Sequence, residues 1–203
     1  MRKLFVTGIG TGVGKTVVSA ILTEALKADY WKPVQAGESY NTDTMKVQRL
    51  VSNKVSVFHP ESYRLTGFMS PHAAAAIDNV IIDFDNIRPP DTDKTLIIEG
   101  AGGLMVPLND DKLVIDLIKY LNAEVILVSQ NYLGSINHTI LSIEALINRN
   151  INVSGLIFNG KPNNTSENII LNRSGLKCLG RIDEEKEINK ETVFKYARLF
   201  KNI

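Results

Sequence analysis

The stretch "FVTGIGTGVGKTVVSAIL", residues 5–22, contains the spacing that decides the fold. The apolar run "KLFVT" (residues 3–7) reads as a buried strand stopped by Gly8. Residues 15–27 follow with apolar positions at Val18, Ile21, Leu22, Ala25 and Leu26, which is helical spacing. Between strand and helix lies a glycine-rich loop closing on Gly14-Lys15-Thr16. Phosphate-binding loops are usually written G-x-x-x-x-G-K-[ST]. Here Ile9 stands where the first glycine belongs, and the glycine is one step further back, at Gly8.

A strand, a Gly-Lys-Thr turn and a helix form the context a phosphate loop requires. Free N–H groups at the helix start, with the helix dipole, make an anion site. Gly12 and Gly14 let the backbone approach phosphate closely, Lys15 supplies a mobile point charge, and Thr16 offers a hydroxyl to Mg²⁺. A merely glycine-rich turn is the plain alternative, and the three features together count against it.

At 203 residues the chain is read as one domain, residues 1–203, with room for a substantial core. The net charge of +1 and the lack of a basic tract argue against sequence-independent nucleic-acid binding. A single cysteine, Cys178, excludes an internal disulfide and fits a reducing compartment. No apolar run reaches the roughly 18 residues of a membrane span, and the start has no signal-peptide core. A cytoplasmic protein is expected.

Further along, strand and helix patterns alternate. Residues 30–34 and 124–129 read as strands, as does 153–159, and residues 95–103 as a buried strand and loop. Residues 43–51, 70–77, 112–121, 135–149 and 191–200 read as helices, with Ser70 and Pro71 as N-cap and first helical residue. Residues 160–168 read as a polar loop, and "LKCLG" as a late strand. Apolar strands separated by helices predict an α/β fold: a doubly wound, mostly parallel sheet with helices on both faces, of the P-loop NTPase type. In such sheets ligands gather beyond the carboxyl ends of the strands.

Three more residues carry chemistry. Glu99 ends an apolar strand in "IIEG", and Asp43 stands at a helix start. Either suits Mg²⁺, which takes one or two carboxylates together with waters and phosphate oxygens. Lys32, in "WKPVQAG", follows apolar residues and must snorkel outward or pair with an anion. At the end of the second strand it points toward the same crevice as Lys15. Two lysines and a metal fit stabilisation of a phosphoryl transition state. His72 and His138 fall on helices without partners at ligand spacing. Cys178 reads as a buried strand residue rather than a nucleophile. Asp110 and Asp111 read as a turn before a helix, and no serine sits in a nucleophile elbow.

Together these pieces resemble the dethiobiotin synthetases, the ATP-dependent ligases of biotin biosynthesis. That family's phosphate loop has five residues between its glycines, matched from Gly8 to Thr16. Its K-P-V segment is matched at residues 32–34, S-P-H at 70–72, E-G-A-G-G at 99–103, and the L-G…I-N-H turn in "LGSINH", 133–138. The resemblance covers nearly the whole chain. It implies that 7,8-diaminononanoate (7,8-diaminopelargonate), CO₂ and ATP are condensed to dethiobiotin, ADP and phosphate. The implied intermediates are a carbamate and a carbamic–phosphoric anhydride. It assigns ATP binding to Gly8, Gly12, Val13, Gly14, Lys15, Thr16, Val17, Asp43, Glu99, Gly100, Ala101, Gly102, Asn159 and Gly160, with Asn159 reading adenine. Mg²⁺ falls to Thr16, Asp43 and Glu99, and the reacting groups to Lys15, Lys32 and Thr11. The substrate meets Lys32 and, from a neighbouring subunit of a homodimer, Gly134, Ser135, Ile136 and Asn137. The resemblance implies no nucleic-acid or membrane partner.

Three positions depart from the family pattern. Ala36 replaces a hydroxyl residue that could touch the carbamate. Gly12 stands where some members have glutamate, and Asp183 takes the place of a proline on the adenine side, which would relax the choice of base. The main rival is a ParA/MinD-type switch ATPase, but that group's signature lysine falls at Gly10 here. A small-molecule kinase would need no CO₂-derived group. A cobyrinate-type amidotransferase would need a glutaminase domain, for which the chain has no room.

Overall fold

Nine strands and seven α-helices alternate along the residues that the computed structural model describes, 1–38 and 40–203. The elements run β1 (Lys3–Gly8), α1 (Lys15–Leu26), β2 (Asp29–Trp31), β3 (Val34–Ala36), α2 (Asp43–Leu50), β4 (Phe58–His59) and β5 (Tyr63–Leu65). They continue with α3 (Pro71–Ile77), β6 (Leu96–Gly103), α4 (Val114–Leu121), β7 (Glu124–Gln130) and α5 (Ser135–Ile147). The last are β8 (Val153–Asn159), α6 (Asn164–Ser174), β9 (Cys178–Ile182) and α7 (Lys190–Ala197).

Seven strands form one sheet in the order β4-β2-β6-β1-β7-β8-β9, and all their pairings are parallel. The expected doubly wound sheet is borne out. Alternate residues of each strand face opposite sides, so Leu4 and Val6 join one core and Phe5 the other. One face packs Val18, Ile21 and Leu22 of α1 with Val47 of α2 and Val193 and Tyr196 of α7. The other packs Ile115 and Ile118 of α4 with Ile143 and Leu146 of α5 and Ile170 of α6. β1 lies between β6 and β7, with β2 beyond β6. The chain thus winds away from β1 in both directions, and a crevice opens at the carboxyl end of β1.

Two expectations are corrected. Residues 30–34 are not one strand. Trp31 is the last residue of β2, paired with Ile98 and His59. Pro33 has no N–H for a ladder, and after it Val34–Ala36 pairs with β5 in a separate two-stranded sheet. Residues 160–168 are not all loop, because α6 begins at Asn164. Asn163 caps it by accepting from Ser166 N–H at 3.0 Å. The Glu167 carboxylate returns to accept from Asn163 N–H at 2.9 Å. Only Glu167 and Ile170 of this helix are buried, so it lacks an apolar stripe. The short β4 and β5 had no counterpart in the sequence pattern.

Candidate active site

The turn after β1 wraps the start of α1. Gly14 is the N-cap of that helix at φ +96°, a left-handed conformation that glycine adopts without strain. A Cβ there would collide with the Asn159 amide, which donates to Val13 C=O at 3.0 Å. The end of β8 is thereby tied to the loop.

Beside the loop is a crevice of about 380 Å³ lined by Thr11, Gly12, Gly14, Lys15, Thr16, Val17, Lys32, Gln35, Ala36, Glu38, Asp43, Lys46, Phe68 and Glu99. The residues singled out for chemistry, from three separate parts of the sequence, meet in it. Lys32 owes its place to the break between β2 and β3, where it is only 4% exposed. Its ammonium donates to Asp43 Oδ2 at 2.7 Å and to Glu99 Oε1 at 3.0 Å. Glu99, 1% exposed, also accepts from Thr16 Oγ1 at 2.8 Å and, through Oε2, from the Tyr30 hydroxyl at 2.9 Å. Asp43 is set by its own helix start: Thr42 Oγ1 accepts from Met45 N–H, and Asp43 N–H donates to Gln35 Oε1.

Burial and charge oppose one another here. Burial pushes the Lys32 ammonium down, but Glu99 and Asp43 outweigh it and hold the pKa above the ordinary lysine value. Burial raises Asp43, and the Lys32 and Lys46 ammoniums overcome that and hold it low. Lys15 has less help. Burial dominates and lowers it to about 8, although Glu99 and Asp43 pull the other way. Its Nζ donates to Gly10 C=O at 2.8 Å. Burial, then the Glu99 charge, drive the Tyr30 hydroxyl well above its usual range, so it stays a hydrogen-bond donor.

The proposed metal donors are the Thr16 hydroxyl and the carboxylates of Asp43 and Glu99. Among the described residues no group of three or more His, Cys, Asp or Glu side chains could hold a metal. The two carboxylates bridged by Lys32, with the Thr16 hydroxyl on Glu99, form an oxygen-only set. That suits Mg²⁺, which completes its shell with water and phosphate oxygens, so the residues fit the ion.

Not every expected site residue lies in this crevice. Gly8 and Val13 belong to the loop but do not line it. Gly100 is inside β6, where a Cβ would press on the Phe5 ring. Ala101 follows in the same strand, and Gly102 lines a neighbouring cavity of about 330 Å³ with Thr11, Ala36, Phe68 and Met69. Asn159 ends β8, and Gly160 N–H donates to Ile182 C=O at 2.8 Å. Gly134, Ile136 and Asn137 line a separate hollow of about 760 Å³ with Asn131 and Lys161, next to buried Ser135. Asp183 follows β9, and its N–H donates to the Tyr196 hydroxyl. Cys178 is exposed, which corrects its reading as a buried residue, and its partial desolvation still raises the thiol. Asp110 and Asp111 do form a turn before α4. Sequence reasoning missed Tyr30, Gln35, Glu38 and Lys46. Lys46 carried a usable signal, since it is one helical turn after Asp43.

A strand–loop–helix phosphate cradle at the switch point of a parallel sheet defines a P-loop nucleotide-binding protein. Solved structures agree on the fold. A putative plasmid partition protein from Borrelia burgdorferi bound to AMPPNP superposes with a TM-score of 0.59 at 14% identity, covering 98% of this chain and 95% of that one. The septum site-determining protein MinD of Pyrococcus horikoshii, complexed with Mg-ADP, gives 0.57 at 14% identity, covering 97% and 94%. These likenesses concern the fold alone. A family model described as an AAA domain matches residues 2–192. Curated relatives are far more similar in sequence. An ATP-dependent dethiobiotin synthetase from Christiangramia forsetii is 54% identical over 98% of this chain and 96% of its own length. One from Cytophaga hutchinsonii is 53% identical over 100% and 98%, and one from Chlamydia pneumoniae 44% over 100% and 91%. The chain belongs to the ATP-dependent dethiobiotin synthetase family.

Proposed function

We propose that this chain forms the ureido ring of dethiobiotin from 7,8-diaminononanoate, CO₂ and ATP, as a single domain working as a homodimer in the cytoplasm. The observation that supports this best is the buried Lys32 ammonium held between Asp43 and Glu99 beside the phosphate loop. One amine adds to CO₂, giving a carbamate and a proton. A carbamate oxygen attacks the γ-phosphorus of ATP, the bond to the bridging oxygen breaks, and ADP leaves. The second amine then attacks the carbonyl carbon of the mixed anhydride, closing the ring and expelling phosphate as the nitrogen loses its proton.

The carbamate is a weak nucleophile and the phosphates repel it, so fixed cations must hold the two together. Lys15, at the loop, meets the terminal phosphates, while Lys32 faces the carbamate and the transferred phosphoryl group. Thr11 borders both the crevice and its apolar neighbour, between nucleotide and amine substrate. Bound Mg²⁺, on Thr16, Asp43 and Glu99, would neutralise phosphate charge. Asn159 faces the adenine side. The N-terminus of α5, from Gly134 to Asn137, suits the substrate carboxylate from the neighbouring subunit. Fully exposed Leu133 and partly exposed Tyr132 and Ile136 beside it support an interface there.

Isotope transfer tests this reading. Briefly supplied [¹⁸O]CO₂ should place one labelled oxygen in the released phosphate, and ¹³CO₂ should raise the product mass by about one unit, one carbon per ring. Unlabelled phosphate, formed before solvent exchange, would exclude the anhydride.

A further inference from the structure

Lys46, on α2, is a third lysine of the crevice. Its ammonium donates to Asp43 Oδ1 at 3.1 Å and to the Glu38 carboxylate. The other Asp43 oxygen, Oδ2, accepts from Lys32. Each oxygen of this carboxylate thus has its own ammonium partner. The two residues are three apart on one helix, where side chains meet, and the Asp43 backbone is fixed by Gln35. What is left to the carboxylate is rotation about its Cα–Cβ and Cβ–Cγ bonds. Lys46 blocks it, because turning Oδ1 toward Lys32 would break the Lys46 bond. Each oxygen accepts one bond from lysine and keeps a lone pair for another partner.

We infer that Lys46 is a positioning residue, which holds the Asp43 carboxylate in the orientation that binds the divalent cation. This rests on the reading of Asp43 as a metal ligand. Without Lys46 the carboxylate turns both oxygens onto Lys32 and is lost to the cation. Glu38 anchors Lys46 from the far side and keeps its charge from acting on the cation unopposed.

The inference predicts a sign that simple charge does not. Removing a positive charge near a dication strengthens its binding if charge alone matters. Removing the group that orients a ligand weakens it, typically by about tenfold or more. The test is calorimetric titration of Mg²⁺ into the ADP-bound protein, corrected with a protein-free ADP blank. The variants are Lys46→Met, Lys46→Gln, Lys46→Arg and Asp43→Asn. Both neutral variants should bind Mg²⁺ about tenfold more weakly, and Lys46→Arg, which keeps a charged N–H donor, should recover most of the loss. Melting temperatures, with either neutral variant sufficing if the other folds poorly, separate a folding defect from a change at the site. Neutral variants that bind Mg²⁺ as tightly as the parent, or more tightly, overturn the inference. So does Lys46→Arg as weak as they are. An unchanged affinity in Asp43→Asn instead overturns the metal role of Asp43 beneath it.

Discussion

The Lys32 ammonium lies 3.0 Å from Glu99 Oε1, and neither side chain is more than 5% exposed. A buried ion pair adds little net stability, because desolvation of both ions offsets their attraction. Loss of one partner is different, since it strands the other. In this site the stranded charge would be Glu99, with Asp43 beside it.

Lys32→Ala is therefore expected to fail twice. Turnover should fall by at least about 10²–10³, the usual cost of losing one transition-state stabiliser. Stability should also fall, by about 3 kcal/mol. Steady-state kinetics and urea unfolding measure the two independently, and full kcat in the variant would remove Lys32 from the chemistry.

Lys15→Ala should separate these effects. Among the described residues, Lys15 hydrogen-bonds only a loop carbonyl, and no carboxylate depends on it for a direct partner. Its loss should reduce turnover by about 10²–10³ and leave the urea midpoint close to that of the parent. A large drop in stability would show that Lys15 has a structural role.

Gly14→Ala should disable nucleotide binding. The left-handed backbone at Gly14 disfavours any Cβ, and one would drive into the Asn159 amide and break its bond to Val13. Equilibrium binding of a fluorescent ATP analogue reads the loss, and parental affinity would contradict this loop geometry.

Much of this site was legible in the sequence because its parts are short and local. The Gly14-Lys15-Thr16 turn, the carboxylate after an apolar strand and Asp43 after a capping threonine each announce themselves within a few residues. The parallel sheet was legible for a similar reason, since its central strands are apolar throughout. The contact of Tyr30 was not, because it depends on pairing across the fold, whereas Lys46 follows Asp43 by three residues on one helix. Tyr30 reaches Glu99 only because β2 lies against β6. The split at Pro33 has a local cause, since proline lacks the N–H that a continuous ladder needs there. Helix α6 was hidden because its stability comes from the Asn163 cap and Glu167 rather than from an apolar stripe.

At the amino end of β2, Asp29 governs an acid response. Its carboxylate is pulled in opposite directions, upward by burial and downward by Val57 N–H, the Thr92 hydroxyl and the Lys94 ammonium, and the second group prevails. The folded pKa lies below the unfolded value of about 3.9. The stabilisation is thus fully present above that value and is lost as pH falls through the folded pKa. Asp29→Asn should lower the urea midpoint near neutrality and flatten its decline below about pH 5. A variant profile parallel to that of the parent would mean that Asp29 does not drive the decline.

The most direct test of the whole account is ADP release by the purified protein with Mg²⁺-ATP, 7,8-diaminononanoate and bicarbonate, each omitted in turn. Release that requires both the diamine and bicarbonate, with the cyclic urea found by mass spectrometry, is the predicted result. Steady release indifferent to the diamine would contradict it, and would leave a P-loop ATPase whose work is not ring closure.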